Sequence, residues 1–219
     1  MSAPHSSFQP QAAIESEPAA GPGRPRICIV TGGVGCGKSL GLRLLQSQLP
    51  RAETFDSDAC VHELLTQPEV GDRLSEIFGD SIFAADRQVD RAKLRRLILK
   101  NPASRASLEG LLHPLVAEKL TNQLKTTSAP WLLAEVPLFF ETATEMPADL
   151  VIAIVASPSV QRDRLIKRGL DSSEIEALLA AQWPNGRKMQ KADVCLWNDG
   201  SKDCLERQIQ VLTPNIPFD

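Results

Sequence analysis

Ile27-Cys28-Ile29-Val30-Thr31-Gly32-Gly33-Val34-Gly35-Cys36-Gly37-Lys38-Ser39 decides the fold of this 219-residue chain. A short uncharged, mostly apolar run leads straight into glycines, which suits a strand buried on both faces of a parallel sheet. Gly32 to Ser39 then fits the pattern G-x-x-x-x-G-K-[ST]. Leu40, Leu42, Leu44, Leu45 and Leu49 follow in a helical pattern that Pro50 ends. Strand, glycine loop and helix come in the order a phosphate-binding loop requires. Glycines permit positive φ and let backbone N–H groups turn inward on phosphate oxygens. The helix N-terminus adds its partial positive charge. In such a loop Lys38 reaches the β and γ phosphates of a nucleoside triphosphate, and the Ser39 hydroxyl ligates Mg²⁺.

Working outward, the pattern continues as strands alternating with helices. Ala52-Glu53-Thr54-Phe55 reads as a second strand that stops at Asp56-Ser57-Asp58. Residues 59–125 read as mostly helical, too long for one crossover, and therefore as a subdomain. Trp131 to Val136, Leu150 to Val155 and Val194 to Trp197 read as three further strands. Helical patterns cover about 159–168, 172–183 and 201–211. This alternation predicts an α/β fold with a parallel sheet. Residues 1–25 are rich in Pro, Ala, Ser and Gly and read as a disordered tail, with neither a signal peptide nor a transit peptide in it.

Composition narrows the function classes. The chain has 24 basic and 27 acidic side chains, a net charge of −3. That balance excludes a strongly basic nucleic-acid binder and argues against electrostatic binding to membranes. No apolar run approaches the ~18–20 residues needed to span a bilayer. Five cysteines with no C-x-x-C make neither a disulfide framework nor a zinc site, and they read as reduced thiols in a cytoplasmic protein. Three scattered histidines do not make a metal cluster.

The loop names a nucleoside triphosphate but not its fate. The D-x-x-G and N-K-x-D of a GTPase and the L-S-G-G-Q of a transporter ATPase are absent from the sequence. A small-molecule kinase needs a base, an acceptor subdomain and cations that close over the phosphates. Asp56 and Asp58 lie at the carboxyl end of the second strand, where α/β sheets gather ligands. Asp58 there is a proton acceptor, a metal-side carboxylate or the N-cap of the next helix. His113-Pro114 interrupts an apolar helical stretch. Val136-Pro137-Leu138-Phe139-Phe140-Glu141 reads as a ligand-side loop, because Pro137 stops the strand ladder. Glu135 stands where a strand-end metal acid would, and equally where a carboxylate without a metal role would. Arg162, Arg164, Lys167, Arg168, Arg187, Lys188 and Lys191 read as a solvated face or a mobile basic lid. Arg87, Arg91, Lys93, Arg95, Arg96 and Lys100 form a second basic stretch, a surface helix or a contact for an anionic acceptor.

Together these pieces resemble the dephospho-coenzyme A kinase family. The markers are the glycine loop, Asp56-Ser57-Asp58, Leu111-Leu112-His113-Pro114-Leu115, Val136 to Glu141, Gln161 to Arg168, Ala180-Ala181-Gln182, and Ala192-Asp193 leading to Asn198-Asp199-Gly200. The resemblance implies a three-layer P-loop fold like that of nucleoside monophosphate kinases, with a five-stranded parallel sheet, a helical acceptor domain and a lid. It implies a core of residues 26–57, 126–158 and 193–219, an acceptor domain at about 58–125 and a lid at about 159–192. The implied reaction is ATP-dependent phosphorylation of the ribose 3′-hydroxyl of dephospho-coenzyme A, with Mg²⁺. ATP and dephospho-coenzyme A are then the partners of a monomer or small homo-oligomer.

The same resemblance assigns roles. Gly33, Val34, Gly35, Cys36, Gly37, Lys38, Ser39 and Asn198 would bind ATP, with Asn198 near the adenine. Asp58 would be the base and Arg168 the lid arginine beside Lys38. Asp56, Asp58, His113, Leu138 and Glu141 would meet the acceptor. The sequence also departs from the family: Cys36 and Leu40 replace a Ser and a Thr in the loop. The lid is one residue short near Gly169, and Asn185 occupies one of two basic positions while Lys188 keeps the other. Cys36, among inward amides at a helix N-terminus, has a setting that can lower a thiol pKa; an inert thiol is the favoured reading and a redox-sensitive loop the alternative. A kinase for another nucleotide acceptor and a nucleotide-binding protein without catalysis are the alternatives.

Overall fold

The computed structural model describes residues 24–142, 146 and 148–216. Five strands, β1 (Arg26–Thr31), β2 (Glu53–Asp56), β3 (Trp131–Glu135), β4 (Leu150–Val155) and β5 (Val194–Trp197), form one sheet in the order β2-β3-β1-β4-β5. All four pairings are parallel. The central strand shows why this stretch folds as it does. Ile27 and Ile29 point to one face and Cys28 and Val30 to the other, and all four are fully buried. The first pair packs into a core shared with helices α2 (Ser57–Leu64), α3 (Pro68–Phe78), α4 (Arg91–Lys100) and α5 (Pro102–Thr126). The second pair packs into a core shared with α1 (Lys38–Gln48) and α9 (Lys202–Leu212). Fully burying each isoleucine stabilises the fold by roughly 1.5–3 kcal/mol.

Register sets up the site. Glu135 at the end of β3 lies opposite Asp56 of β2 on one side and Val30 of β1 on the other. One row at the carboxyl ends of three strands thus holds two carboxylates and the root of the glycine loop, as doubly wound sheets place their ligands. α6 (Pro158–Lys167), α7 (Ser172–Ala180) and α8 (Asn185–Met189) connect β4 to β5. Gly169 follows the Arg168 cap of α6, and its φ of +82° lets Leu170 N–H return to the Leu165 carbonyl.

Several expectations need correction. His113-Pro114 does not interrupt its helix, since α5 runs through Pro114 without a break. Leu111, Leu112, Val116 and Leu120 are buried in the core on one side, while Gly110 and Pro114 are exposed on the other. The carbonyl that Pro114 leaves unbonded therefore faces water, and packing outweighs the ~3 kcal/mol cost of an internal proline. The helix read over 172–183 stops at Ala180, and α8 begins after Pro184. Arg24, expected in the tail, pairs with Asp149 at 2.6 Å. Residues 1–23 of the expected tail lie outside the described residues.

Candidate active site

The glycine loop is held open by side-chain bonds, three of them from outside it. Four successive carbonyls each accept a side-chain donor. Lys38 Nζ reaches the Gly33 oxygen at 3.1 Å, Gln161 Nε2 the Val34 oxygen at 2.6 Å, Arg164 Nη1 the Gly35 oxygen at 3.1 Å, and Asn198 Nδ2 the Cys36 oxygen at 2.8 Å. A carbonyl so engaged cannot turn toward an anion, so the loop is biased to present N–H groups instead. Gly37, at φ +90°, starts α1, and a Cβ there would strike the Asn198 amide. Gly32, at φ +145°, lies against the Ile154 carbonyl with no room for a Cβ. Strand β4 and the residue after β5 thus shape a loop that belongs to β1.

The loop opens on a cleft of about 710 Å³, within the range of small-molecule sites. Lys38, Ser39, Asp58 and Glu135 meet there. Ser39 Oγ donates to Glu135 Oε1 at 3.2 Å, while the buried Glu135 Oε2 has no hydrogen-bond partner among the described residues. Burial pushes the Glu135 carboxyl above its ordinary pKa, with Lys38 and the Ser39 hydroxyl pulling the other way. Burial likewise pushes the Lys38 ammonium down, opposed by the charge of Glu135. Ser57 Oγ donates to the Glu135 carbonyl at 2.6 Å, tying the start of α2 to the end of β3.

The second aspartate is placed by the first. The N-cap of α2 is Asp56, not Asp58: its Oδ1 accepts from Asp58 N at 2.9 Å and from Ala59 N at 3.0 Å. The helix starts two residues earlier than a cap at Asp58 requires, which leaves the Asp58 side chain exposed in the first turn and lining the cleft. The far wall comes from α5 through Arg105, Glu109 and His113, with Leu138 and Arg168 also lining it. Burial lowers the His113 pKa, Glu109 opposes that shift and Arg105 adds to it.

Other expected site residues stand outside this lining. Glu141 does not face the cleft. Its Oε1 lies 2.6 Å from the fully buried Lys188 and accepts from Trp183 N at 2.9 Å, so the carboxylate clasps two chain segments together. Asn198 is buried beneath the loop, bound to the Cys36 carbonyl. Burial raises the Cys36 thiol pKa, because desolvation outweighs Asn185, Lys38 and the nearby backbone, and this favours the inert thiol over the redox-sensitive one. Most of the basic residues read as a lid are committed elsewhere. Arg162 pairs with Glu176, Arg164 bonds two carbonyls, Arg187 stacks on Trp183, and Lys188 is internal. Asn185 does not act as a missing lid cation here; its Nδ2 bonds the Ala156 carbonyl and Gln161 Oε1. Of the second basic stretch, Arg91, Arg95 and Arg96 line a separate groove. Sequence reasoning missed Arg105, which no local pattern marks; Gln161 and Gln182 stood only among the family markers, with no role assigned.

The comparisons with known proteins agree with this geometry. The family model described as dephospho-CoA kinase matches residues 26–203. The chain is similar to a dephospho-CoA kinase of Thiobacillus denitrificans, 36% identical over 190 residues, which covers 84% of this chain and 91% of that protein. It is similar to a crystal structure from Thermus thermophilus with a TM-score of 0.73 and 29% identity, covering 89% of this chain and 99% of that one. A dephospho-CoA kinase structure from Campylobacter jejuni shares the fold at a TM-score of 0.57 and 22% identity, covering 87% and 97%. Glycine loop, strand-end carboxylates and acceptor-side helix thus occur in a chain that belongs to the dephospho-CoA kinase family.

Proposed function

We propose that the protein transfers the γ-phosphoryl group of ATP to the ribose 3′-hydroxyl of dephospho-coenzyme A, giving coenzyme A and ADP. The observation that carries this reading is the meeting of Lys38, Ser39, Glu135 and Asp58 in one cleft walled by α5. Family membership names the acceptor. In the transfer, the acceptor oxygen forms a bond to the γ-phosphorus and the bond from that phosphorus to the β–γ bridging oxygen breaks. The electron pair leaves with ADP, and the hydroxyl proton passes to the Asp58 carboxylate and on to solvent. Lys38 leaves the Gly33 carbonyl for the β and γ phosphates, and Arg168 neutralises charge as the lid closes. α2–α5 hold the acceptor, with His113 and Leu138 facing it.

Mg²⁺ fits the residues present. The Glu135 oxygen without a partner and the cleft-facing Ser39 hydroxyl form two corners of an oxygen site. Among the described residues no cluster of three or more His, Cys, Asp or Glu is assembled for a metal, which suits an ion held largely by substrate phosphates and water. When bound, the ion neutralises charge on the triphosphate. We place the reaction in the cytoplasm, where thiols such as those of Cys28 and Cys36 stay reduced; no helix among the described residues is long and apolar enough to cross a membrane.

A coupled assay of ADP release tests the reading. We expect turnover with dephospho-coenzyme A that depends on Mg²⁺ and is lost in Lys38→Ala. Turnover only with other nucleotide acceptors, or ATP binding without turnover, would overturn it.

A further inference from the structure

Gln182 lines the cleft but has no part in the reading above. It follows α7, just past the C-cap Ala181. Its Oε1 accepts from Val34 N–H at 2.8 Å. A backbone N–H bonds only to an acceptor, so the orientation of this carboxamide is set by chemistry: oxygen on the loop, nitrogen away from it. Nε2 has no hydrogen-bond partner among the described residues. The peptide that carries Val34 N–H is also the one whose oxygen, Gly33 O, accepts from Lys38 Nζ at 3.1 Å. Lys38 and Gln182 therefore sit on opposite edges of a single peptide unit. These two bonds and the width of one peptide put Nζ and Oε1 no more than about 8 Å apart. The lysine of such a loop marks the β–γ end of the triphosphate, so Gln182 stands at the end where transfer occurs.

Two further side chains converge on the same short segment. Arg105 Nη2, on α5, donates to the Ala181 carbonyl at 3.0 Å, and Arg105 is itself paired with Glu109 at 2.7 Å. Glu141 Oε1 accepts from Trp183 N, and Glu141 is in turn held by Lys188. The backbone is thus bonded immediately before and immediately after Gln182, and its side chain is bonded at the tip. Arg105 of the cleft wall and Glu141 behind it thus hold one uncharged residue beside the phosphate loop. Positioned donors aimed at developing charge are how a site stabilises a phosphoryl-transfer transition state, in which negative charge spreads over the equatorial oxygens.

We propose that Gln182 is a further catalytic residue, whose Nε2 donates a hydrogen bond to an oxygen of the γ-phosphoryl group during transfer. Arg105 and Glu141 are its positioning residues. The inference rests on the kinase reading above and adds a donor to it.

The test compares Gln182→Glu and Gln182→Met with wild type in the ADP-release assay with dephospho-coenzyme A. It also measures binding of ADP, alone and with aluminium fluoride and Mg²⁺ as a mimic of the transferring group. Gln182→Glu keeps an acceptor for Val34 N–H and loses the donor, whereas Gln182→Met loses both. We expect kcat to fall about 10- to 100-fold in both variants, the range for losing one hydrogen bond to a charged group. ADP alone should bind Gln182→Glu within threefold of wild type, and its aluminium fluoride complex should weaken by about the factor lost from kcat. A Gln182→Glu enzyme with kcat within threefold of wild type would show that the residue only braces the loop and would overturn the inference alone. A wild type inert toward dephospho-coenzyme A would remove the kinase reading and this inference with it.

Discussion

Asp56 Oδ1 accepts the backbone N–H of Asp58 at 2.9 Å, so one carboxylate of the pair aims the other. Asp56 ends β2 and caps α2, and Asp58 takes the second position of that helix, facing the cleft. The N-cap that the sequence left open for Asp58 is made by Asp56, which leaves the Asp58 carboxylate for the proposed role of base.

That division gives opposite expectations for the two positions. Asp58→Asn should leave the melting temperature unchanged and lower kcat by ~10²–10⁴-fold, the usual contribution of a general base. Asp56→Ala should lose ~1 kcal/mol of stability with the cap, a fall of about 2–4 °C in Tm at this chain length. Asp56→Asn should keep the cap and the stability. Kinetics and thermal melts on the three variants decide it. A Tm loss at Asp58 with none at Asp56→Ala would reverse the assignment.

Glu135 should link stability to the proposed Mg²⁺ binding. Its pKa is raised in the folded protein, so its contribution to stability is full below the unfolded value and is lost as pH rises through the folded one. At neutral pH the ionised group is a cost that a cation would relieve. Glu135→Gln should therefore gain stability relative to wild type as pH rises above about 4.3, the ordinary glutamate value. It should also lose the extra thermal shift that Mg²⁺ gives the ADP complex, and kcat should fall at least ~10-fold. Melting curves across pH, with and without Mg²⁺, measure the first two effects.

His113 has the opposite sign. Its folded pKa is lowered, so the stability it contributes is present above the unfolded value of about 6.5 and is lost as pH falls through the folded value. The stability difference between wild type and His113→Leu should shift in favour of the variant on acidification from about pH 7 to pH 5. Chemical denaturation at both ends of that window checks it, and an unchanged difference would show that the imidazole titrates normally.

The buried pair Lys188 and Glu141 should behave as a unit. Lys188→Met strands a carboxylate whose other oxygen already has no partner among the described residues. Removing one member of a buried pair costs about 3–5 kcal/mol. Lys188→Met combined with Glu141→Gln removes both charges and should be more stable than either single variant. Guanidinium unfolding of the four proteins measures the coupling, and additive losses would show that the pair is not coupled.

The sequence by itself determined the sheet, its parallel sense and the phosphate loop. Those features are local: apolar strands buried on both faces lack alternation, and the loop's glycines, lysine and serine are contiguous from Gly32 to Ser39. It also brought Asp58, His113 and Leu138 to notice, and the structure seats all three in the cleft. Tertiary structure decided the rest. The cap of α2 depended on where β2 ends, one residue beyond the periodicity reading, and so moved from Asp58 to Asp56. Charge alone could not tell a lid from a solvated face, and only packing shows Lys188 buried against Glu141 and Arg164 bonded beneath the loop. Gln182 carries no charge and lies 148 residues from Val34. Its place against the loop arises only when α5 and the segment around α7 and α8 close on the sheet, because hydrogen bonds between distant segments leave no period in the chain.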